Sequence, residues 1–254
     1  MTRFDRRTFL ESAALGAAAV LSSKTLLAAE EAKENSAKKK QSLRILFFGG
    51  ELPLVEKELK EKYEIESLRG GQVQDKKEDN VTGLEQLATA DLWIGSVSKR
   101  TFPSDVQLKH FQDYLAAGKP FVGYRAASHV FQNWLQVDKK VFGAKYGGHH
   151  LLSKDPELVI SYAEGAQDHA ILKGLDPPRP ASGSYHYTEV APDVQVLLNS
   201  GLEGDMMPHT WVRTIEKTGN RVFYTRYDAK ELAENAVVRE IFLRGIAWAA
   251  GGKG

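Results

Sequence analysis

Cysteine is absent from the entire 254-residue sequence. That excludes a disulfide framework, a cysteine nucleophile, thiolate zinc sites and iron–sulfur clusters, because the ligand or nucleophile is missing. A surplus of one charge is absent too: 34 Lys and Arg face 33 Asp and Glu. The net charge of +1 leaves no electrostatic footprint for nucleic acid. What remains is ordinary for a globular chain. Hydrophobic residues make up 42%, too many for disorder, and the length suits one large domain or two small ones.

The first 29 residues read as an address. Asp5-Arg6-Arg7-Thr8-Phe9-Leu10 opens with a twin arginine, an Ala-rich apolar stretch runs from Ala13 to Leu21, and Ala28-Ala29 offers a small-residue cleavage site. Basic region, apolar region and small residues in that order make a secretory signal. The adjacent arginines resemble a twin-arginine export signal, which a receptor reads directly. The apolar stretch is too short to span a bilayer, so no stable membrane span is expected after cleavage. Arg3, Arg6, Arg7 and Lys24 against Asp5 and Glu11 put this segment at +2 and the rest of the chain at −1. The expected location is periplasmic or otherwise extracytoplasmic. Residues 30–42 are rich in Ala, Glu and Lys with no apolar face, which predicts a charged linker.

From Leu43 to Gly251 the texture predicts one α/β domain. Leu43 to Phe48 is a continuous apolar run that suits a strand covered on both faces, and we expect it to be central in the sheet. A helix over Pro53 to Tyr63, a strand at Asp91 to Gly95, a helix from Ser104 and a strand at Phe121 to Tyr124 follow. Ser104 and Gln107 have capping-box spacing, and Gly118 then Pro120 stop that helix. Alternation of strand and helix predicts a doubly wound, mainly parallel sheet with helices on both faces. Val141 to Glu189 reads as long loops with short strands. Thr210 to Arg213 and Arg221 to Tyr224 read as a hairpin turning at Gly219-Asn220, and a last helix is expected over Ala233 to Ala249.

In open α/β sheets, ligands bind beyond the carboxyl ends of the strands. Three strand ends carry reactive side chains: Gly49-Gly50-Glu51, Arg125, and Arg226-Tyr227-Asp228. Gly123-Tyr124-Arg125-Ala126-Ala127 has the small-residue flanks of a strand-to-helix elbow. Its apex is an arginine, which stays protonated and cannot attack a carbonyl. Arg125 can bind an anion, hydrogen-bond a carbonyl or sugar hydroxyls, or simply pin loop carbonyls. His149-His150, after two glycines, can act as acid–base groups or ligands. There is no HExxH signature, and neither a metal nor a cofactor is expected. Trp211 can stack on a sugar ring or serve the core.

The chain resembles the ThuA-like, or trehalose-utilisation, family. The resemblance rests on Tyr124-Arg125-Ala126-Ala127, Phe142 to His150, Asp168 to Leu175, Tyr185-His186-Tyr187-Thr188-Glu189, Pro208-His209-Thr210-Trp211, Gly219 to Thr225 and Gly245 to Ala249. It covers nearly all of Leu43 to Gly251 and is most specific at its C-terminal end. It implies a class I glutamine-amidotransferase-like fold without the amidotransferase cysteine, hence no glutaminase activity, and a role in carbohydrate metabolism. The chain departs from the family at two places. The elbow often carries His there, and here stands Arg125. The final strand is often followed by Gly-His, and here stand Tyr227-Asp228.

Two roles are open on these residues. One is an exported enzyme acting on a small sugar or glycoside. The other is a non-catalytic sugar-binding domain or a partner subunit of a periplasmic sugar-oxidising system. For catalysis the candidates are Arg125, His149 and Glu189, the last because the family places an acid near it. For substrate binding they are Glu51, His150, Tyr187, Trp211, Tyr227 and Asp228. An acid at the last strand end opposite a cation at the elbow predicts that Asp228 pairs with Arg125 or binds hydroxyls.

Overall fold

The computed structural model describes residues 40–252 except 73–79, 98–100, 152–157 and 182. The expected leader and most of the expected linker lie outside the described residues. The folded unit begins at Ser42.

Its frame is an eight-stranded sheet. In chain order the elements are β1 (Ser42–Phe48), α1 (Pro53–Lys62), β2 (Glu64–Gly70), β3 (Leu92–Gly95), α2 (Asp105–Ala116), β4 (Phe121–Tyr124), β5 (Ala144–Leu151), β6 (Val159–Tyr162), β7 (Ser184–Val190), β8 (Val194–Leu202), β9 (Asp205–Thr214), β10 (Arg221–Thr225), α3 (Ala229–Glu234) and α4 (Ala236–Ala249). The sheet order is β2-β1-β3-β4-β10-β9-β8-β6, and β5 with β7 forms a separate ribbon. The strands from β2 to β10 in that order are parallel. The last three are antiparallel. The fold is therefore α/β, as the alternation of elements predicts.

The apolar run of β1 is continuous because its two faces bury into two cores. Ile45 and Phe47 pack with α1 and α4, alongside Val55, Leu59, Ile241 and Phe242. Leu46 and Phe48 pack with α2, alongside Trp93, Phe111 and Phe121. Full burial of each such side chain is worth roughly 1.5–3 kcal/mol. The expectation that β1 is central needs correction. It is interior, between β2 and β3, but the middle of the sheet belongs to β4 and β10. The chain adds β2 on one side of β1 and β3, β4 and β10 on the other. That reversal makes a topological switch at the carboxyl end of β1, where open sheets bind ligands.

Local signals decide the helix ends. Ser104 Oγ accepts from the Gln107 amide and the Gln107 side chain accepts from the Ser104 amide, so the capping box of α2 forms. The expected last helix is two helices. Asn235 Oδ1 accepts from the amides of Val237 and Val238, which starts α4 afresh and ends α3. A short polar side chain that can bond nearby amides competes with continued helix. The β9–β10 hairpin forms, and Asn220 is buried at its turn. Its Nδ2 donates to the carbonyls of Leu115 and Lys119, tying the turn to the end of α2.

The stretch expected as long loops contains the β5–β7 ribbon, whose register shifts at Tyr146 and Gly148. Gly147-Gly148 and the histidines break the alternating pattern that would have announced it. Strand β2 went unannounced as well. It is an edge strand with alternating exposure, so it lacks an apolar run.

Candidate functional site at the carboxyl edge

The elbow after β4 is the best-defined feature of the edge. Arg125 has φ +49°, and it is the one non-glycine residue with positive φ among the described residues. An L-residue there costs roughly 1–2 kcal/mol, and such strain persists only where the surroundings impose it. Here they do. A Cβ on Gly123 would stand 2.4 Å from Phe142 Cε1 and 3.0 Å from the Ala127 Cβ, so the turn closes only over a glycine. The Tyr224 hydroxyl donates to the Arg125 carbonyl and itself meets the Tyr187 hydroxyl at 3.0 Å. Ser96 Oγ accepts from the Ala126 amide at 3.3 Å.

Strand β10 lies beside β4, so the residues after it reach the same place. Arg125 Nη1 is 3.9 Å from Asp228 Oδ2, and both side chains are a little under one-third exposed. Asp228 is also the N-cap of α3. Its Oδ1 accepts from the Glu231 amide, while Glu231 Oε2 accepts from the Asp228 amide. One carboxylate thus holds a helix with one oxygen and faces the elbow cation with the other.

The ribbon supplies the third wall. Tyr185 of β7 is the hub. The Arg226 guanidinium lies over its ring at 3.7 Å from the centroid, and that of Arg125 is 5.9 Å away. His149 and His129 meet the same ring edge-on, at 5.2 and 5.7 Å between centroids. Tyr146 stacks on His129 at 4.0 Å. Burial, then the charges of His149, Arg226 and Arg125, push the His129 imidazole down to about 4. Burial, then Arg226 and Arg125, lower His149 as well. Both rings are therefore neutral at pH 7 and can accept a proton or a hydrogen bond.

Glu51 stands apart from this cluster but on the same edge. It lines a cleft of about 290 Å³ with Gly49, Gly50, Arg69, Gly71 and Val97, at the ends of β1 to β3. The cleft approaches the elbow, since a Cβ on Gly50 would be 3.2 Å from the Tyr124 hydroxyl. Burial, then the Asp228 charge, pushes that phenol up to about 12.

The other candidates lie elsewhere. Glu189 is exposed and takes hydrogen bonds from Lys139 and Lys145, which lower its carboxyl. It sits at the far end of β7 from Tyr185. His150 turns away from His149, as neighbours in a strand do, and its Nε2 is 3.2 Å from Asp205 Oδ2. Trp211 is wholly buried, stacked on Tyr224 at 4.2 Å and donating to the Phe142 carbonyl at 2.8 Å. It is a core residue with no face for a sugar. Tyr187 and Tyr227 are buried too, and the Tyr227 hydroxyl donates to the Pro178 carbonyl at 2.6 Å. Among the described residues no three His, Asp or Glu side chains gather as metal ligands would. No helix among them is long and apolar enough to cross a membrane.

The sequence profile of the family described as ThuA, trehalose utilisation, matches residues 47–249. The chain belongs to the ThuA family. Among solved structures, it is similar to a Bacteroides uniformis protein described as ThuA-like, with 17% identity and a TM-score of 0.56. That alignment covers 84% of this chain and 93% of the other. A second, from Parabacteroides merdae and also described as ThuA-like, has 15% identity and a TM-score of 0.52 over 85% and 91% of the two chains. At such identities the likeness is one of fold. No curated protein matches the chain in sequence.

This ThuA-family edge contains residues that sequence reasoning passed over. The sequence marks Arg226 only as a strand-end residue and assigns no role to Tyr185, His129 or Tyr146. His129 carries one usable signal, its place close after the elbow, where it closes the 3-10 turn Arg125–His129. Nothing local marks Tyr185, whose neighbours come from β4, β5 and β10.

Proposed function

We propose that this ThuA-family protein binds a small sugar or glycoside at the carboxyl edge and acts on it there. Arg125 holds an electron-rich oxygen of the ligand, Asp228 accepts from its hydroxyls, and His149 is the proton acceptor. The observation that carries this reading is Arg125 itself, a cation set in strained backbone beside Asp228. Backbone strain is stored at functional sites more often than elsewhere. The carbohydrate class comes from the family, described as trehalose utilisation. Export by the twin-arginine signal belongs to the same reading, and places the protein outside the cytoplasm.

Two measurements test it. Thermal shift of the wild type against mono- and disaccharides, keto-sugars included, should find a stabilising ligand. At a hundredfold excess over Kd the expected rise is roughly 5–10 °C. Equal stabilisation of Arg125→Ala would remove the elbow from the site, and no stabilisation by any sugar would remove the carbohydrate reading. Replacing Arg6 and Arg7 together by Lys should leave the precursor in the cytoplasm, and normal export of that variant would refute the address.

A further inference from the structure

We infer that the cleft at the ends of β1 to β3 seats one neutral, hydroxyl-rich ring of the ligand, and that the Tyr124 hydroxyl joins this seat to the elbow. The inference rests on the sugar-binding reading above and adds to it where the ring lies and which further residues hold it. The place follows from the fold. β2 and β3 flank β1 on opposite sides, and a ligand crevice opens where the strand order reverses. A Cβ on Gly71 would stand 2.4 Å from the Gly49 nitrogen, and one on Gly49 would stand 2.3 Å from the Ser96 carbonyl oxygen. This end of the sheet therefore closes only over glycines, which leave the cleft above them open. Its volume of about 290 Å³ is nearly twice the roughly 150 Å³ that holds a benzene ring. That suits one hexose-sized ring together with its hydroxyls.

The lining selects the class of ligand. Glu51 is exposed in the cleft and makes no ion pair or hydrogen bond among the described residues. Arg69 is the cation of the lining, but Glu56 offsets its charge: Nη2 donates to that carboxylate, and the guanidinium lies over the Phe47 ring at 4.8 Å from the centroid. An anion thus finds its cation engaged, whereas a hydroxyl-rich ring finds an acceptor in Glu51 and both donor and acceptor in the Gln72 amide. Tyr124 is the link to the elbow. Its ring packs edge-on against Phe242 with 4% of the residue exposed, yet its hydroxyl makes no hydrogen bond among the described residues and is not sealed from solvent. Buried polar groups are nearly always paired, so a hydroxyl left without a partner calls for one from outside the chain. A Cβ on Gly50 would be 3.2 Å from that oxygen, which puts it at the cleft wall. Burial, then the Asp228 charge, keeps the phenol protonated, hence a donor. Glu51 also borders a small notch against Ala229 and Leu232 of α3, the helix that Asp228 caps. The cleft, Tyr124 and Asp228 form one continuous stretch of the edge.

The experiment is isothermal titration calorimetry of the full-length chain and two variants with glucose, trehalose and glucosamine. Tyr124→Phe removes the hydroxyl and Glu51→Gln removes the carboxylate charge. Neither breaks a hydrogen bond among the described residues, so denaturation midpoints should stay at the wild-type value. A neutral sugar should bind the wild type. Its affinity should fall about three- to tenfold in Tyr124→Phe and at least about tenfold in Glu51→Gln, as loss of a neutral and of a charge-assisted hydrogen bond provides. In the wild type, binding should slow amide exchange at Gly49 to Glu51 and Gly70 to Gln72, a readout that stands even where a variant fails to fold. A neutral sugar held with unchanged affinity by either variant overturns this inference and leaves the sugar reading standing. So does a sugar that slows exchange only around Arg125 and Asp228. Glucosamine binding at least about tenfold more tightly than glucose overturns it too, because Glu51 then serves a cation. Binding by no sugar overturns both readings.

Discussion

Asp228 serves two elements at once: its Oδ1 accepts the Glu231 amide at 3.0 Å, while its Oδ2 stands 3.9 Å from Arg125 Nη1. One oxygen has a structural task, the other is the one we propose for recognition, and substitution can separate the two. Asparagine caps a helix about as well as aspartate, whereas alanine does not. Asp228→Asn should unfold within about 0.5 kcal/mol of wild type, and Asp228→Ala should lose about 1 kcal/mol. Both should weaken ligand binding. Chemical denaturation beside calorimetry checks the split, and an Asn variant that binds normally would assign Asp228 to the cap alone.

The elbow makes a prediction of opposite sign. Arg125 sits at φ +49°, a conformation glycine adopts without penalty. Arg125→Gly should therefore hold or raise stability, by up to about 1 kcal/mol, while abolishing binding. Denaturation midpoints read this directly, and a variant that loses both stability and binding would make Arg125 a structural pin.

Closure of that elbow depends on Gly123. Its Cβ would fall 2.4 Å from the Phe142 ring. Gly123→Ala should cost about 1–3 kcal/mol through overpacking. An unchanged melting temperature would show that the ring yields freely and that the elbow geometry is not imposed by packing.

Acid should loosen the site before it unfolds the core. His129 takes its proton only near pH 4 when folded, against about 6.5 when free. Between those values the unfolded chain holds more protons, so stability falls as pH drops from about 6.5 to 4. His129→Phe should flatten this limb by roughly 2 kcal/mol, since phenylalanine cannot take the proton. Denaturation curves at pH 7, 5.5 and 4.5 for both proteins measure it. Parallel pH profiles would mean that His129 is not held neutral by its surroundings.

Much of the frame was legible in the chain because it depends on near neighbours. The apolar runs of β1, β3 and β4, the Ser104–Gln107 box and the Gly219-Asn220 turn each state their outcome within a few residues. The elbow was legible too, because small residues flank Arg125, and with it the facing of Arg125 and Asp228. Where β1 stands in the sheet was not, since strand order follows from packing helices on two faces. The polar edge strand β2 and the glycine-broken ribbon of β5 and β7 lack the run or alternation that marks a strand. Tertiary structure alone decided which candidates meet. Trp211, Tyr187 and Tyr227 sank into the core because their hydroxyls or indole found partners there. Glu189 went to two lysines at the far end of β7. Arg226, without a role in the sequence, came to rest over Tyr185 because β10 runs parallel to β4 and ends beside the elbow. A side chain's chemistry is written locally, but its company is set by contacts between distant segments, and a site is made of company.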